Sequence, residues 1–153
     1  MIEILDQNED NIASKMHFVF QASYAIEAEL LEAKDFPPLR RTVADFKNSE
    51  TSFFGYWIEK ELTAVIEIEP SLTSFHIRSL VVHPRYFRKG IGSKLIAFII
   101  KLFIGNSITV ETGLANAPAI ALYKKFGFIE AGQYDTDHGV RKIKLALEKA
   151  SPK

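Results

Sequence analysis

The stretch that decides the fold is residues 79–93, Ser-Leu-Val-Val-His-Pro-Arg-Tyr-Phe-Arg-Lys-Gly-Ile-Gly-Ser. Its first part is apolar and rich in valine, which predicts a buried strand that ends at the His-Pro pair. The apolar segment 93–103 that follows predicts a helix. A basic loop with two glycines therefore connects a strand to the first turn of a helix.

This loop has the composition of an anion site. The first amides of a helix have no intrahelical acceptor, and they carry the positive end of the helix dipole. Gly90 and Gly92 let an anion approach the backbone closely, Arg88 and Lys89 add positive charge, and Ser93 adds a hydroxyl. The glycine spacing is neither that of a dinucleotide fingerprint nor that of a P-loop. The loop is therefore predicted to bind a pyrophosphate.

The rest of the chain predicts a mixed α/β domain in the order β, α, α, β, β, β, α, β, α, β, β, with antiparallel hairpins and at least one βαβ crossover. One domain is expected over 1–153, since neither a linker nor a repeat interrupts it. In the first helix, a stripe at helical spacing predicts the buried face: Ile12, Met16, Val19, Ser23, Ile26 and Leu30. The predicted elements are residues 2–5, 10–33, 38–47, 52–58, 62–69, 75–82, 93–103, 107–112, 117–126, 128–134 and 139–147.

Composition excludes several kinds of protein. The chain of 153 residues is 47% apolar, which is enough for a core. It has no cysteine, so disulfides, thiolate metal sites and a cysteine nucleophile are excluded. No apolar run reaches the ~18 residues of a membrane span, and the first residues do not resemble a secretory signal. We expect a cytoplasmic protein with no membrane partner.

Charge is segregated along the chain although the formal net charge is zero. Residues 1–70 contain 14 acidic and 6 basic side chains, and residues 71–153 contain 5 acidic and 13 basic ones. The acidic half could face a cationic ligand and the basic half an anionic one, or both could be ordinary solvated surfaces.

The strand and loop resemble the acetyl-CoA-binding motif of the GNAT superfamily of N-acetyltransferases. That motif is Gln/Arg-x-x-Gly-x-Gly/Ala after a strand of the form Leu-x-Val-x-Pro. The matching positions are Leu80, Val82 and Pro84 in the strand, and Gly90 and Gly92 in the loop. Phe87 occupies the Gln/Arg position and is a departure that weakens the match. Arg88, at the usual small-residue position, could compensate for it electrostatically.

A second stretch, residues 110–128, resembles the later motif of the same family, and Asn116, Ala119, Tyr123 and the pair Gly127-Phe128 are in register. Together the two motifs cover about 79–134, and the element order extends the resemblance over nearly the whole chain. It implies a three-layer α/β fold with a mixed, mostly antiparallel sheet of about six or seven strands and about four helices.

The resemblance implies direct transfer of an acetyl group from acetyl-CoA to an amine, without a metal. Residues 71–153 would form the acetyl-CoA half and 1–70 the acceptor side. The backbone of Leu80 and Val82 would hold the pantetheine arm and thioester between two splayed strands. The implied cofactor-binding residues are Leu80, Val81, Val82, Arg88, Lys89, Gly90, Ile91, Gly92, Ser93, Asn116, Ala119 and Tyr123.

Tyr123 is the general acid that the resemblance implies, since its phenol can protonate the departing thiolate; otherwise it is a tyrosine packed against the sheet. The sequence does not decide which residue acts as the general base that deprotonates the amine. Glu111 precedes the helix of Tyr123 and is the base in some family members, whereas Glu67 and Glu69 share one face of a neighbouring strand. His76 is a further candidate, although a single strand histidine is more often structural.

The acceptor is expected to be a small-molecule or peptide amine, with a cationic one favoured by the acidic half. Tyr24 and Glu27 are three residues apart on the first helix, where this family usually builds its acceptor site, but they could also lie on a solvated face. Phe36-Pro37-Pro38 could form a wall of the channel or simply pack as a loop. The resemblance also leaves a homodimer open.

Two other functions can be compared with the sequence. A non-catalytic acyl-CoA sensor or partner-binding module on the same fold is compatible with Phe87, whereas Tyr123 argues for an enzyme. Nucleic-acid binding through the basic half has no supporting motif, so no nucleic-acid partner is expected.

Overall fold

The computed structural model describes residues 1–148. The chain alternates between the predicted strands and helices, and the observed bounds lie within a few residues of the predicted ones. The strands are β1 (Ile2–Leu5), β2 (Ser52–Ile58), β3 (Glu61–Pro70), β4 (Ser74–Val82), β5 (Ser107–Gly113), β6 (Ile129–Asp135) and β7 (Arg141–Leu147). The helices are α1 (Asp10–Leu30), α2 (Val43–Lys47), α3 (Ile91–Leu102) and α4 (Ala117–Lys125).

The seven strands form one sheet in the order β1-β2-β3-β4-β5-β7-β6. Every pair is antiparallel except β4 and β5, which run in parallel because α3 carries the chain back between them. The predicted fold class, a mixed and mostly antiparallel sheet with about four helices, is confirmed.

Helices cover both faces of the sheet, so the domain has three layers. One core contains the buried residues of α3, with Tyr123 and Phe128 from the second motif. The other core contains the buried face of α1, with Phe46 of α2 and Phe53 of β2. None of the helices within residues 1–148 is long and apolar enough to span a membrane.

The predicted buried face of α1 is correct only in its first half. Met16 and Val19 are fully buried, but Ile26 and Leu30 are 43% and 46% exposed, and Phe20, Tyr24 and Ala28 are buried instead. The reason is that the last turns of α1 lie over a cavity rather than over the sheet, so that Ile26 and Leu30 face this cavity.

The second predicted helix is also split. Pro37–Arg40 form a 3₁₀ turn, and α2 begins only at Val43. Thr42 forms a capping box with Asp45, in which each side chain accepts a hydrogen bond from the other residue's backbone amide. This cap starts a new helix and separates it from the proline turn.

Candidate active site

The sheet opens between its two parallel strands. Residues Ser74–Ile77 of β4 pair with Ser107–Val110 of β5, but beyond this point β4 continues to Val82 and β5 to Gly113 without pairing with each other. A β-bulge accounts for the divergence: Glu67 lies opposite Ser79 and Ile68 opposite Ile77, so that Arg78 is the extra residue. Because a bulge bends its strand, β4 turns away from β5.

Two cavities meet at this fork. A cavity of about 590 Å³ extends from the fork to the Gly-rich loop and lies between the ends of α1, α3 and α4. A second cavity, of about 1170 Å³, lies on the α1 and α2 side of the sheet. We call them the loop cavity and the basin. The residues that line both are Tyr24, Phe36, Pro38, Arg78, Ser79, Glu111 and Lys142.

The Gly-rich loop leaves helix amides free. The first hydrogen bond within α3 runs from the Lys94 amide to the Gly90 carbonyl, at 3.1 Å. The amides of residues 91–93 have no acceptor among residues 1–148. Gly90 has a φ of 74°, a left-handed conformation that glycine adopts without strain, and Arg88 has a φ of 63°. The loop therefore presents a turn of unpaired N–H groups beside two cationic side chains.

The space at this loop fits a phosphate-bearing ligand. A Cβ atom on Gly90 would meet no atom within 4 Å, so the backbone there is open. A Cβ on Gly92 would lie 3.3 Å from Leu122 of α4, and both residues line the loop cavity, so a larger side chain would narrow it. Arg88 lines this cavity, and so does Phe87, which is 42% exposed. The Nζ of Lys89 lies 5.8 Å from the centre of the Tyr86 ring.

The second motif forms the opposite wall of the loop cavity. Asn116 caps α4, and its side-chain oxygen accepts a hydrogen bond from the Ala119 amide at 3.3 Å. Asn116 and Ala119 line the cavity together with Leu80 and Val82, and so do five of the six predicted loop residues, Arg88, Gly90, Ile91, Gly92 and Ser93. Sequence reasoning did not single out several further lining residues, which are brought in by the fork and the helix ends: Ile77, Arg78, Val110, Thr112, Leu122 and Lys142.

Tyr123 is almost fully buried, at 3% exposure, and it lines the loop cavity. Its ring makes an edge contact with Phe128, with the ring centres 5.4 Å apart. Burial strongly raises the pKa of the phenol, and the negative charge of Glu27 raises it further. The hydroxyl is therefore protonated at neutral pH and can act only as a proton donor.

Glu67, one of the predicted bases, is enclosed in a hydrogen-bonded network. Its carboxylate is fully buried and accepts two hydrogen bonds from Arg41, at 2.7 and 2.9 Å. It also accepts hydrogen bonds from Thr51 at 2.7 Å and from Ser79 at 2.9 Å. Ser79 in turn accepts a hydrogen bond from Tyr24 at 3.0 Å. These four hydrogen bonds occupy the lone pairs of the carboxylate, and its role as a base stays a prediction.

Glu69 points to the same side of the sheet as Glu67, as the strand period predicts, and it lines the basin. It is half-exposed and forms an ion pair with Arg78 at 3.0 Å. The sequence left undecided whether this face lines a cleft or bulk solvent, and the structure places it on the floor of the basin.

Glu111 lies at the fork and is the only one of the three glutamates that lines both cavities. One carboxylate oxygen is 3.8 Å from His76 Nε2. The carboxylate also faces the hydroxyl of Tyr134, and it raises the pKa of that phenol to about 12. The position that the family resemblance singled out is thus the one where the loop cavity and the basin meet.

Of the two predicted acceptor residues, Tyr24 lines both cavities and Glu27 lines only the loop cavity. Tyr24 is 8% exposed and held by Ser79, and Glu27 lines the loop cavity, where burial raises the pKa of its carboxyl. Phe36 and the two prolines after it line the basin. The Phe36 ring makes an edge contact with His138 of the β6–β7 turn, with the ring centres 6.5 Å apart. The two loops therefore approach each other across the basin.

Comparisons with known proteins agree with this geometry. The model of the acetyltransferase (GNAT) family matches residues 17–128. UPF0157 protein YqkA of Bacillus subtilis is 37% identical over 132 residues, which are 86% of this chain but only 38% of that relative. Streptothricin acetyltransferase of Escherichia coli is 27% identical, with 84% of this chain and 80% of the relative covered.

Solved structures share the fold. The ribosomal-protein-S18-alanine N-acetyltransferase of Escherichia coli has a TM-score of 0.76 at 24% identity and covers 100% of this chain and 96% of its own. The PaiA N-acetyltransferase of Thermoplasma acidophilum, in complex with coenzyme A, has a TM-score of 0.72 at 18% identity. The match covers 97% of this chain and 99% of that protein. On the family match and the two motifs in their places around the fork, this chain belongs to the acetyltransferase (GNAT) family.

Proposed function

We propose that the chain transfers an acetyl group from acetyl-CoA to a primary amine by direct attack in a ternary complex. The observation that carries this proposal is the fork between β4 and β5. It joins the loop cavity, which has unpaired helix amides, to the basin. Glu111 lines both cavities at this point, and Tyr123 lines the loop cavity. A cofactor and an acceptor can approach this point from opposite sides.

Acetyl-CoA would supply the activated acetyl group. Residues 91–93 would hold the pyrophosphate through their amides, with Arg88 adding positive charge. The edge of β4 beyond Ile77, unpaired on the β5 side, offers backbone groups to the pantetheine arm, and the amides of this edge are the donors that would stabilise the developing oxyanion.

The two proton transfers are assigned to Glu111 at the fork and to Tyr123 in the loop cavity. Glu111 takes a proton from the acceptor ammonium, and the free amine attacks the thioester carbonyl. The C–N bond forms, the C–S bond breaks, and Tyr123 protonates the thiolate that departs. The second proton of the attacking nitrogen leaves through the basin to solvent, and the phenolate of Tyr123 regains a proton. The products are an acetamide and free CoA.

The basin is suited to a cationic acceptor even though it contains both signs of charge. Four arginine and lysine side chains line it, of which three are paired with carboxylates, Arg40 with Asp35, Arg41 with Glu67, and Arg78 with Glu69, and the fourth is Lys142. Glu50 and Glu111 face the basin without an arginine or lysine within 4 Å in the part of the chain that the structure describes. A protonated amine would be attracted to these two carboxylates.

The experiment is to incubate the protein with acetyl-CoA and a panel of amines, and to follow the release of free thiol. The panel includes alanine-initiated peptides and streptothricin, because the relatives are named for such acceptors, together with lysine peptides, polyamines and amino acids. Release that depends on one acceptor class supports the proposal. CoA binding without release above hydrolysis for any amine would favour the acyl-CoA sensor, and absence of CoA binding would refute the role of the Gly-rich loop.

The cytoplasmic location and a homodimer stay predictions.

A further inference from the structure

His76 lies at the base of the fork, one residue before the last parallel pair between β4 and β5, Ile77 and Val110. Its side chain is about a quarter exposed and lines the basin, on the same side of the sheet as Glu111. Two contacts fix its ring: Nδ1 lies 2.7 Å from Thr109 Oγ1, and Nε2 lies 3.8 Å from a carboxylate oxygen of Glu111.

The hydrogen bond at Nδ1 is linked to the protonation of Nε2, because a neutral ring carries one hydrogen. If Nδ1 carries the hydrogen and donates it to Thr109, then Nε2 has a free lone pair that faces Glu111 and the basin. A distance of 3.8 Å is too long for a direct hydrogen bond. However, a nitrogen atom placed off the line between Nε2 and the carboxylate oxygen can lie at about 2.9 Å from both. A protonated amine can therefore donate to His76 and Glu111 at once.

We propose that His76 and Glu111 act as one proton-accepting pair that binds the acceptor ammonium and removes its proton before attack. This proposal rests on the proposed function and adds His76 to Glu111 as a proton acceptor. The acceptor nitrogen donates one N–H to Nε2 and one to the carboxylate. One proton passes to the pair, the amine keeps its lone pair for the thioester carbonyl, and the pair later loses the proton to water in the basin.

The surroundings favour a neutral ring at rest. Burial lowers the pKa of His76 below its ordinary value, while Glu111 of β5 and Glu69 of β3 raise it, and Lys144 of β7 and Arg78 of β4 lower it. Burial prevails, so the ring can accept a proton at neutral pH. Thr109 serves as a positioning residue that holds the ring through Nδ1.

The pair can be tested without turnover, by ¹⁵N NMR of the histidine rings in the full chain. At a pH above the ring pKa, the proposal expects the His76 ring with hydrogen on Nδ1 and a bare Nε2. Glu111→Gln should lower the pKa of His76 by about one unit, since it removes a negative charge beside the ring. The ring signals of His17 and His83, which do not line the basin, should be the same in this variant as in the wild type. Hydrogen on Nε2, or an unchanged pKa of His76 in Glu111→Gln, would overturn the proposal.

Kinetics with the best acceptor of the panel test the catalytic role. His76→Gln should lower kcat/KM by about 10- to 100-fold and move the acid limb of its pH profile. Thr109→Val should give a smaller loss with the same direction of pH shift. His17→Gln is the matched control and should stay within about twofold of the wild type. Unchanged kinetics in His76→Gln would overturn the proposal. If the wild type acetylates no amine, the proposed function fails, and the NMR result still decides whether the pair exists.

Discussion

Arg41 and Glu67 form a two-pronged ion pair inside the protein, with N–O distances of 2.7 and 2.9 Å. The guanidinium carbon of Arg41 also lies 4.2 Å from the centre of the Phe46 ring. The pair therefore ties the segment before α2 to the centre of the sheet. Glu67 is thereby held in the framework beside the basin, and its role as a base stays a prediction.

The first prediction concerns stability. Glu67→Gln keeps the volume of the side chain but leaves the Arg41 cation without its partner, so we expect a loss of about 3 kcal/mol in the free energy of unfolding. Urea denaturation followed by circular dichroism measures it. Glu69→Gln is the control, since it breaks a half-exposed ion pair and should cost less than about 1 kcal/mol. Equal stability of the two variants would contradict the structural role of Glu67.

The second prediction is the pH dependence of that difference. Burial alone would raise the pKa of Glu67, but the hydrogen bonds and charge of Arg41 hold it below its ordinary value. Its contribution to stability is therefore complete above the ordinary carboxyl pKa and is lost as the pH falls through the lower, folded-state pKa. We expect the stability gap between wild type and Glu67→Gln to shrink from pH 6 towards pH 3. A gap that widened on acidification would show the opposite sign of shift.

The third prediction separates chemistry from binding at Tyr123. Tyr123→Phe removes the proton donor of the proposed mechanism but keeps the ring contact with Phe128. We expect kcat to fall by about 100-fold and the Kd for CoA, measured by calorimetry, to change little. A variant with full turnover would exclude Tyr123 as the acid, and a large loss of CoA affinity would point to a role in the cavity wall instead.

The fourth prediction tests the Gly-rich loop. Arg88→Gln removes a cation that lines the loop cavity, so we expect the Kd for CoA to rise by about 5- to 10-fold and its dependence on salt to weaken. Lys101→Gln removes an equal charge in the last turn of α3, at the end of the helix away from the Gly-rich loop, and should leave the Kd for CoA unchanged. Equal effects of the two substitutions would indicate a general attraction of charge rather than a site at the loop.

Most of the fold could be predicted from local pattern. The structure confirms the order of all eleven predicted elements, including the hairpin of β2 and β3 and the strand–loop–helix unit around residues 79–93. These elements are predictable because the spacing of apolar residues in a strand or helix is a local property of the sequence. The end of α1 was predicted wrongly. Ile26 and Leu30 have helical spacing from Met16, but an apolar residue can line a cavity as well as a core, and spacing does not distinguish the two.

The sequence by itself determined the family, the Gly-rich loop at the start of α3, and a short group of titratable side chains for the chemistry. Only the tertiary structure decided which groups surround each of them. Glu67 meets Arg41 from a segment 26 residues away, and Glu111 meets His76 through the parallel pairing of β4 and β5. The state of a carboxylate depends on the charges and donors that surround it in space, and the bulge and the fork bring those groups together from distant parts of the chain.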